Sequence, residues 1–176
     1  MGNKNGAKAS QGTFADAAAF GELIFICTLG AGTLDTLKSA GEQNLNGKIL
    51  IDISNPLDFS KGMPPSNFVG NTDSLGEQIQ RTFPQAKVVK TLNTMNATIM
   101  VTPSLVPGTV VFVSGDDADA KAKVKEILQN WFGWQKILDL GGIATSRGTE
   151  AWVPFWVMIM SAHGTPMFNI KIVKAP

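Results

Sequence analysis

The residues best suited to chemistry in this chain carry no charge. In KVVKTLNTMNA, residues 87–97, the β-branched pair Val88 and Val89 leads within a few positions to Asn93, Thr94 and Asn96, so an apolar strand ends in a row of amides and a hydroxyl. Two other stretches have the same character. Thr28, Leu29, Gly30, Ala31 and Gly32 follow an apolar run and turn into a helical pattern, where free backbone N–H groups can receive a phosphate or ribose oxygen. A tight strand-to-helix turn is the plainer reading of the same residues. Ser54, Asn55 and Pro56, with Asp58 just beyond, close another apolar run. Proline fixes φ and removes a donor, so Asn55 is expected to aim its amide outward, although an Asn-Pro turn needs no ligand. Neutral groups of this kind bind and orient but do not act as acids or bases near neutral pH. They suit a ligand that brings its own reactivity, as in hydride transfer between two bound rings.

The usual catalytic groups are sparse. There is no tyrosine, and the one histidine, His163 in SAHGTP, reads as a loop or helix-end residue. The single cysteine, Cys27, lies within LIFICTL and reads as a buried, inert thiol. Histidine and cysteine form no metal-ligand cluster, and Ser54 and Ser114 lack the flanking glycines of a nucleophile elbow. Arg147 and Glu150 in TSRGTE read as an ion pair opening the last helix. Gly30-Ala31-Gly32, with Asp52 about twenty residues on, imitates a dinucleotide fingerprint. The imitation fails where a third glycine belongs, because Asp35 stands there and puts negative charge near where a pyrophosphate would lie. Asp52 also falls in mid-strand, within ILIDIS. No catalytic and no metal-binding residue is assigned.

The elements that must position the neutral strand ends follow from the hydrophobic pattern. LIFICTL (23–29), KILIDIS (48–54), KVVKTLN (87–93), TVVFVSG (109–115) and KILDLG (136–141) are Ile-, Val- and Leu-rich, as strands buried on both faces should be. Between them lie helical patterns at 33–41, 73–83 and 117–133. In the last, Val124, Ile127, Leu128 and Trp131 make one stripe, acidic residues open the helix and Gly133 closes it. Such repetition predicts an α/β fold, a Rossmann-like parallel sheet with helices on both faces. In an open sheet of this kind, ligands bind beyond the carboxyl ends of the strands, so the three polar strand ends are expected to share one rim. Residues 55–72, rich in glycine and proline, read as a long functional loop.

Composition narrows the possibilities. The chain has 176 residues, 44% of them hydrophobic, enough for one domain. Lys plus Arg number 15 against 14 for Asp plus Glu, a net +1, which disfavours nucleic acid as a partner. The polar start MGNKNGAKASQGT has no apolar signal region, and a lone cysteine fits a reducing compartment, so a cytoplasmic location is expected. AWVPFWVMIM, residues 151–160, is far short of the ~20 residues of a membrane span and reads as a buried or subunit-facing helix.

Four motifs, KVVKTLNTMNA, ILIDISNPLDFSKGMPP, NTDSLGEQIQRTFP and LDLGGIATSRGTE, resemble in order and spacing those of the coenzyme F420-dependent NADP oxidoreductases. That family also resembles the cytosolic domain of the STEAP metalloreductases. The resemblance runs from about Lys8 to Val173. It implies a Rossmann-like sheet holding NADP(H), with hydride passing between nicotinamide and a deazaflavin or flavin, coenzyme F420 or another. By position it implies that Thr28, Leu29 and Gly30 line the dinucleotide path and that Asn55 and Pro56 lie beside the nicotinamide. Asn93, Thr94, Met95, Asn96 and Ala97 would form the floor where the rings meet. The apolar helix from Glu150 to Ala162, within a C-terminal helix and tail spanning 148–176, would pack in a homodimer interface.

The family pattern opens with a strand, a GxGxxG loop and a second strand ending in a Ser/Thr-Arg pair, and no stretch of this sequence matches these. The expectation is therefore one incomplete NAD(P)-binding domain over residues 1–176, beginning just before the family's third strand, at AKASQGT. Its strand at 23–29 would stand at an open edge, where unpaired backbone groups invite another chain. Residues 1–176 alone are expected to bind dinucleotide poorly. The alternative function is a non-catalytic remnant serving as an interaction module through that edge or the last helix.

Overall fold

A computed structural model describes residues 9–175. Seven short strands and seven helices alternate along the described chain. They are α1 Phe14–Phe20, β1 Leu23–Ile26, α2 Gly30–Ala40, α3 Glu42–Leu45, β2 Ile49–Asp52, β3 Leu57–Asp58, β4 Ser66–Asn67, α4 Leu75–Thr82, β5 Lys87–Thr91, α5 Ala97–Val101, β6 Val111–Ser114, α6 Ala118–Asn130, β7 Ile137–Gly141 and α7 Ser146–His163. The main sheet has the order β1-β2-β5-β6-β7. The Rossmann-like class expected from the sequence holds, with one correction to its parallel character. β1, β2 and β5 run parallel, but β6 is antiparallel to β5, and β7 runs parallel to β6. Periodicity shows that a run is a strand and says nothing of its direction, which here is set by the crossover through α5 and the 3-10 turn at Pro103–Leu105.

Alternate residues of the central strands feed two cores. Leu50 and Val88 face a cluster with Leu37, Ala40, Leu45, Leu75 and Ile79, contributed by α2, α3 and α4. Ile51 and Val89 face the opposite cluster, with Ile99, Val124, Ile127, Leu128 and Trp134. Helices therefore cover both faces, as expected. The outer strands are not buried on both faces, since β1 and β7 have few fully buried positions. Trp131 also departs from its expected stripe. α6 ends at Asn130, so Trp131 caps the helix and is 65% exposed while Val124, Ile127 and Leu128 are buried.

The ends of α6 match the sequence reading. Asp117 caps it by accepting from the Ala120 N–H at 2.7 Å, and Gly133, at φ +84°, turns the chain out of it. The segment 55–72 is not an unstructured loop, because β3 and β4 pair within it as a small antiparallel ribbon. No strand forms over 9–13, and the rest of AKASQGT lies outside the described residues. The first described element is instead α1, opened by a Thr13–Asp16 capping box that the sequence reading passed over. β1 stands at the sheet edge as expected, pairing with β2 alone among the described residues. No helix among the described residues is long and apolar enough to cross a membrane.

Candidate functional site at the strand ends

The carboxyl ends of β1, β2 and β5 come together, and the neutral residues there touch one another. Gly30, at the start of α2, lies so close to the end of β2 that a Cβ on it would sit 1.9 Å from the Asn55 carbonyl oxygen. Only glycine permits that approach. From Asn55 the side-chain Nδ2 donates to the Asn93 carbonyl at 2.9 Å, and Asn93 Nδ2 donates back to Asn55 Oδ1 at 2.9 Å. The Asn55 amide therefore reaches across to the neighbouring strand end, where the sequence reading had it pointing outward.

The remaining candidates divide. Thr28 Oγ1 lies 2.8 Å from Thr33 Oγ1, and Leu29, 66% exposed, is the N-cap of α2 with no side-chain cap bond. The first N–H groups of α2 are thus left without a side-chain acceptor. Pro56 is buried, and its carbonyl accepts from the Phe68 N–H of the ribbon region at 2.9 Å. Thr94 is 2% exposed; its carbonyl accepts from Trp152 Nε1 at 3.1 Å, and among the described residues its Oγ1 has no partner. Met95 is packed in the core with Leu92 and Ile99. Asn96 caps α5, its Oδ1 accepting from the Thr98 N–H at 2.8 Å, and Ala97 is exposed on the first turn.

Charge lies directly beneath this neutral rim, and the sequence reading missed it. Asp52 and Lys90 are register partners on β2 and β5, so their side chains emerge side by side. Lys90 Nζ donates to Asp52 Oδ2 at 2.8 Å, to the Ser54 carbonyl at 2.6 Å and, across from α7, to Glu150 Oε1 at 2.9 Å. Burial disfavours the Lys90 cation, but Asp52 and Glu150 outweigh it and raise its pKa above the usual 10.5. Asp52 Oδ1 takes the Ser54 N–H and hydroxyl at 2.9 and 2.6 Å. Glu150 also takes the Leu75 and Gly76 N–H groups at 2.8 and 3.0 Å, at the positive end of the α4 dipole.

Three expectations are corrected here. Asp52 is the last residue of β2 rather than a mid-strand one, but its carboxylate is committed to Lys90 and Ser54, so it is no ribose ligand. Arg147 does not pair with Glu150. Its Nε donates to Glu77 Oε2 at 2.8 Å, a bond that lowers the Glu77 pKa, while Glu150 pairs with Lys90. Cys27 is exposed at the end of the edge strand, and desolvation followed by the nearby Asp52 charge raises its pKa. A detectable signal existed for Lys90, because a lysine in KVVKTLN and an aspartate in ILIDIS each interrupt a run otherwise fit for burial. His163 ends α7 in the exposed last turn, as expected.

No protein-family profile matches the chain. A crystal structure of a candidate F420-dependent NADP reductase from Arthrobacter sp. FB24 is 55% identical, with TM-score 0.89, over 92% of this chain and 74% of that one. The chain belongs to the F420-dependent NADP-reductase family. That is a family of NADP-linked oxidoreductases, in keeping with the resemblance of the four motifs. Rat metalloreductase STEAP3 is 30% identical over 130 residues, which is 74% of this chain but only 24% of STEAP3, so the chain spans about a quarter of that curated protein. An imine reductase from Myxococcus stipitatus solved with NADP+ shares the fold, at 14% identity and TM-score 0.57, over 88% of this chain and 47% of that one.

Proposed function

We propose that the chain serves an NADP(H)-dependent reductase of F420 type, in which hydride passes between nicotinamide and a deazaflavin or flavin at the rim of β1, β2 and β5. The observation that carries this reading is the reciprocal Asn55–Asn93 amide pair with Gly30 pressed against it. It makes one continuous neutral surface from three strand ends, where an open sheet of this class binds its ligand. The bound coenzymes supply the hydride chemistry themselves. The chain's residues orient them. The unpartnered, buried Thr94 Oγ1 fits a carboxamide or ring heteroatom, since a buried hydroxyl without a partner is costly until a ligand supplies one. Thr28 and the open N–H groups of α2 suit a ribose or phosphate oxygen. No residue on the rim is offered as proton donor or base, because Lys90 and Asp52 are consumed by each other.

Partner and setting complete the proposal. A second copy is expected on α7, whose Phe155 and Met158 are exposed and whose stretch from Ala151 to Ala162 carries no acidic or basic residue to oppose like-with-like packing. The cytoplasm is the proposed location. The test is a spectroscopic assay of NADPH oxidation with F420, FMN and ferric chelate as alternative acceptors. Turnover with F420 that falls at least about tenfold in Asn93→Leu, in keeping with loss of an oriented hydrogen bond, supports the reading. Turnover unchanged in that variant refutes the rim as the site, and preference for ferric chelate reassigns the acceptor. Light scattering then reports whether the protein is dimeric and whether Phe155→Lys makes it monomeric.

A further inference from the structure

The hydride chemistry proposed above makes no use of Lys90, yet this lysine is among the largest wholly buried side chains, 1% exposed. An ammonium has three N–H donors. Here the three have three acceptors on different parts of the fold: Asp52 Oδ2 at the end of β2, the Ser54 carbonyl just beyond it, and Glu150 Oε1 on α7. So saturated, Lys90 has no donor left for a ligand and acts only through what it holds.

What it holds is the frame of the rim. Every backbone and side-chain polar group of Ser54 is tied to this cluster, its N–H and hydroxyl to Asp52 and its carbonyl to Lys90. The next residue is Asn55, so the peptide carrying one half of the amide pair is fixed from below. On the other side Glu150 is joined both to Lys90 and to the first turn of α4. Two residues further along α7, Trp152 donates to the Thr94 carbonyl. One ammonium therefore links the β2 end, which carries Asn55, to the helix that braces the β5 end.

We infer that Lys90 is the positioning residue of the strand-end site, setting the Asn55–Asn93 pair and the Trp152–Thr94 bond in one arrangement; the inference rests on the reading of that rim as the ligand site. A role in stability alone explains the cluster less well. Buried ion pairs replaced by apolar groups of similar volume often leave a protein equally stable, whereas only directed donors fix a carbonyl and two carboxylates at once. Leu50 and Val88 in the same layer show that this face of the sheet is otherwise packed with aliphatic side chains.

The test is made on the full chain, without ligand, by following hydrogen exchange of the Asn55 and Asn93 side-chain amides and the Trp152 indole N–H by NMR. The variant Asp52→Asn/Lys90→Met/Glu150→Gln keeps shape and removes all three charges. Expected is a cooperatively folded protein in which these groups exchange about tenfold faster, the loss of roughly one hydrogen bond's worth of order. A folded triple variant with unchanged exchange at all three groups overturns the inference. Should the triple variant not fold, Asp52→Asn alone decides by the same readout, faster exchange at Asn55 supporting the role and unchanged exchange overturning it. Addition of NADPH to the parent chain at millimolar concentration, enough to load even a weak site, separates the two claims. Failure of NADPH to move the Asn55 and Asn93 signals refutes the ligand site, while the exchange comparison still decides what Lys90 does.

Discussion

The two halves of the sheet treat charge in opposite ways. In the parallel half, β1, β2 and β5, the charges are buried: Asp52, Lys90 and Glu150 are each no more than 2% exposed and lie under a neutral rim. In the half formed by β6 and β7, the interior is aliphatic and aromatic, and the charges lie outside, where Lys121 and Lys125 flank Asp139 at 2.9 and 3.0 Å. Strand direction accounts for the division. Because β6 turns back on β5, its carboxyl end emerges beside the start of β5, as the Lys87–Asp117 pair at 3.0 Å records. The rim is therefore three strands wide, and only those strands need a buried scaffold to fix their ends.

The contrast can be broken most forcefully at Lys90. Lys90→Met leaves Asp52 and Glu150 buried without their cation and should cost about 3–5 kcal/mol, read by urea denaturation; a cost below ~1 kcal/mol would mean that the two carboxylates are not held in a dry interior. In the other half the largest effect should be a cavity. Leu128→Ala, at a fully buried position of α6, should cost about 3 kcal/mol in the same measurement, while the NMR signals of the Asn55 and Asn93 amides stay in place. Movement of those signals would show that the halves are coupled. Gly30→Ala drives a methyl into the Asn55 carbonyl and should destabilise by about 2 kcal/mol while displacing that amide pair.

The smallest effects are those of pH, and they sharpen the comparison by setting Lys90 of one half and Asp139 of the other on opposite limbs of the stability profile. The Lys90 pKa is raised in the fold, so its contribution is present below the ordinary value of 10.5 and is lost as pH climbs through the raised one. Lys90→Met should flatten the alkaline limb. Burial raises the Asp139 pKa, but bonds from Lys121, the Gly141 N–H and Lys125 outweigh it and bring the value from 3.8 to about 2. Its contribution is present above about pH 4 and lost as pH falls towards 2. Asp139→Asn should therefore trim the acid limb by less than ~1 kcal/mol, this being a partly exposed pair near the surface. Asp73, held low by Arg81, and Glu77, held low by Arg147, add to that limb from α4 and the turn before it, on the parallel half.

Much of the fold was legible in the sequence because aliphatic runs and amphipathic stretches report burial directly. All five main strands and α2, α4, α6 and α7 lie where those patterns put them. Strand direction was not legible, since KVVKT and VFVS have the same composition whichever way they run. The short helices α3 and α5 lack the length for a periodic signal. At the rim, Asn55, Asn93 and Gly30, which the fold brings into contact, could be singled out because amides and glycine at strand ends are locally conspicuous. Lys90 was harder to place: it interrupts an aliphatic run, but its partners lie 38 positions before it and on α7, so nothing local names what neutralises it. Glu150 was given the wrong partner for the same reason: Arg147 is its neighbour along the helix, but the fold brings Lys90 to it from another strand.

The chain has a single sulfhydryl, and it sits at the tip of β1, exposed, one residue before Thr28. A maleimide dye or spin label would therefore attach at one place only, beside the rim and away from both hydrophobic cores. With its ionisation shifted upward, the coupling reaction wants mildly basic buffer. The protein thus comes with its own attachment point for an optical or paramagnetic probe, and ligand occupancy of the neighbouring rim can be followed without altering a residue.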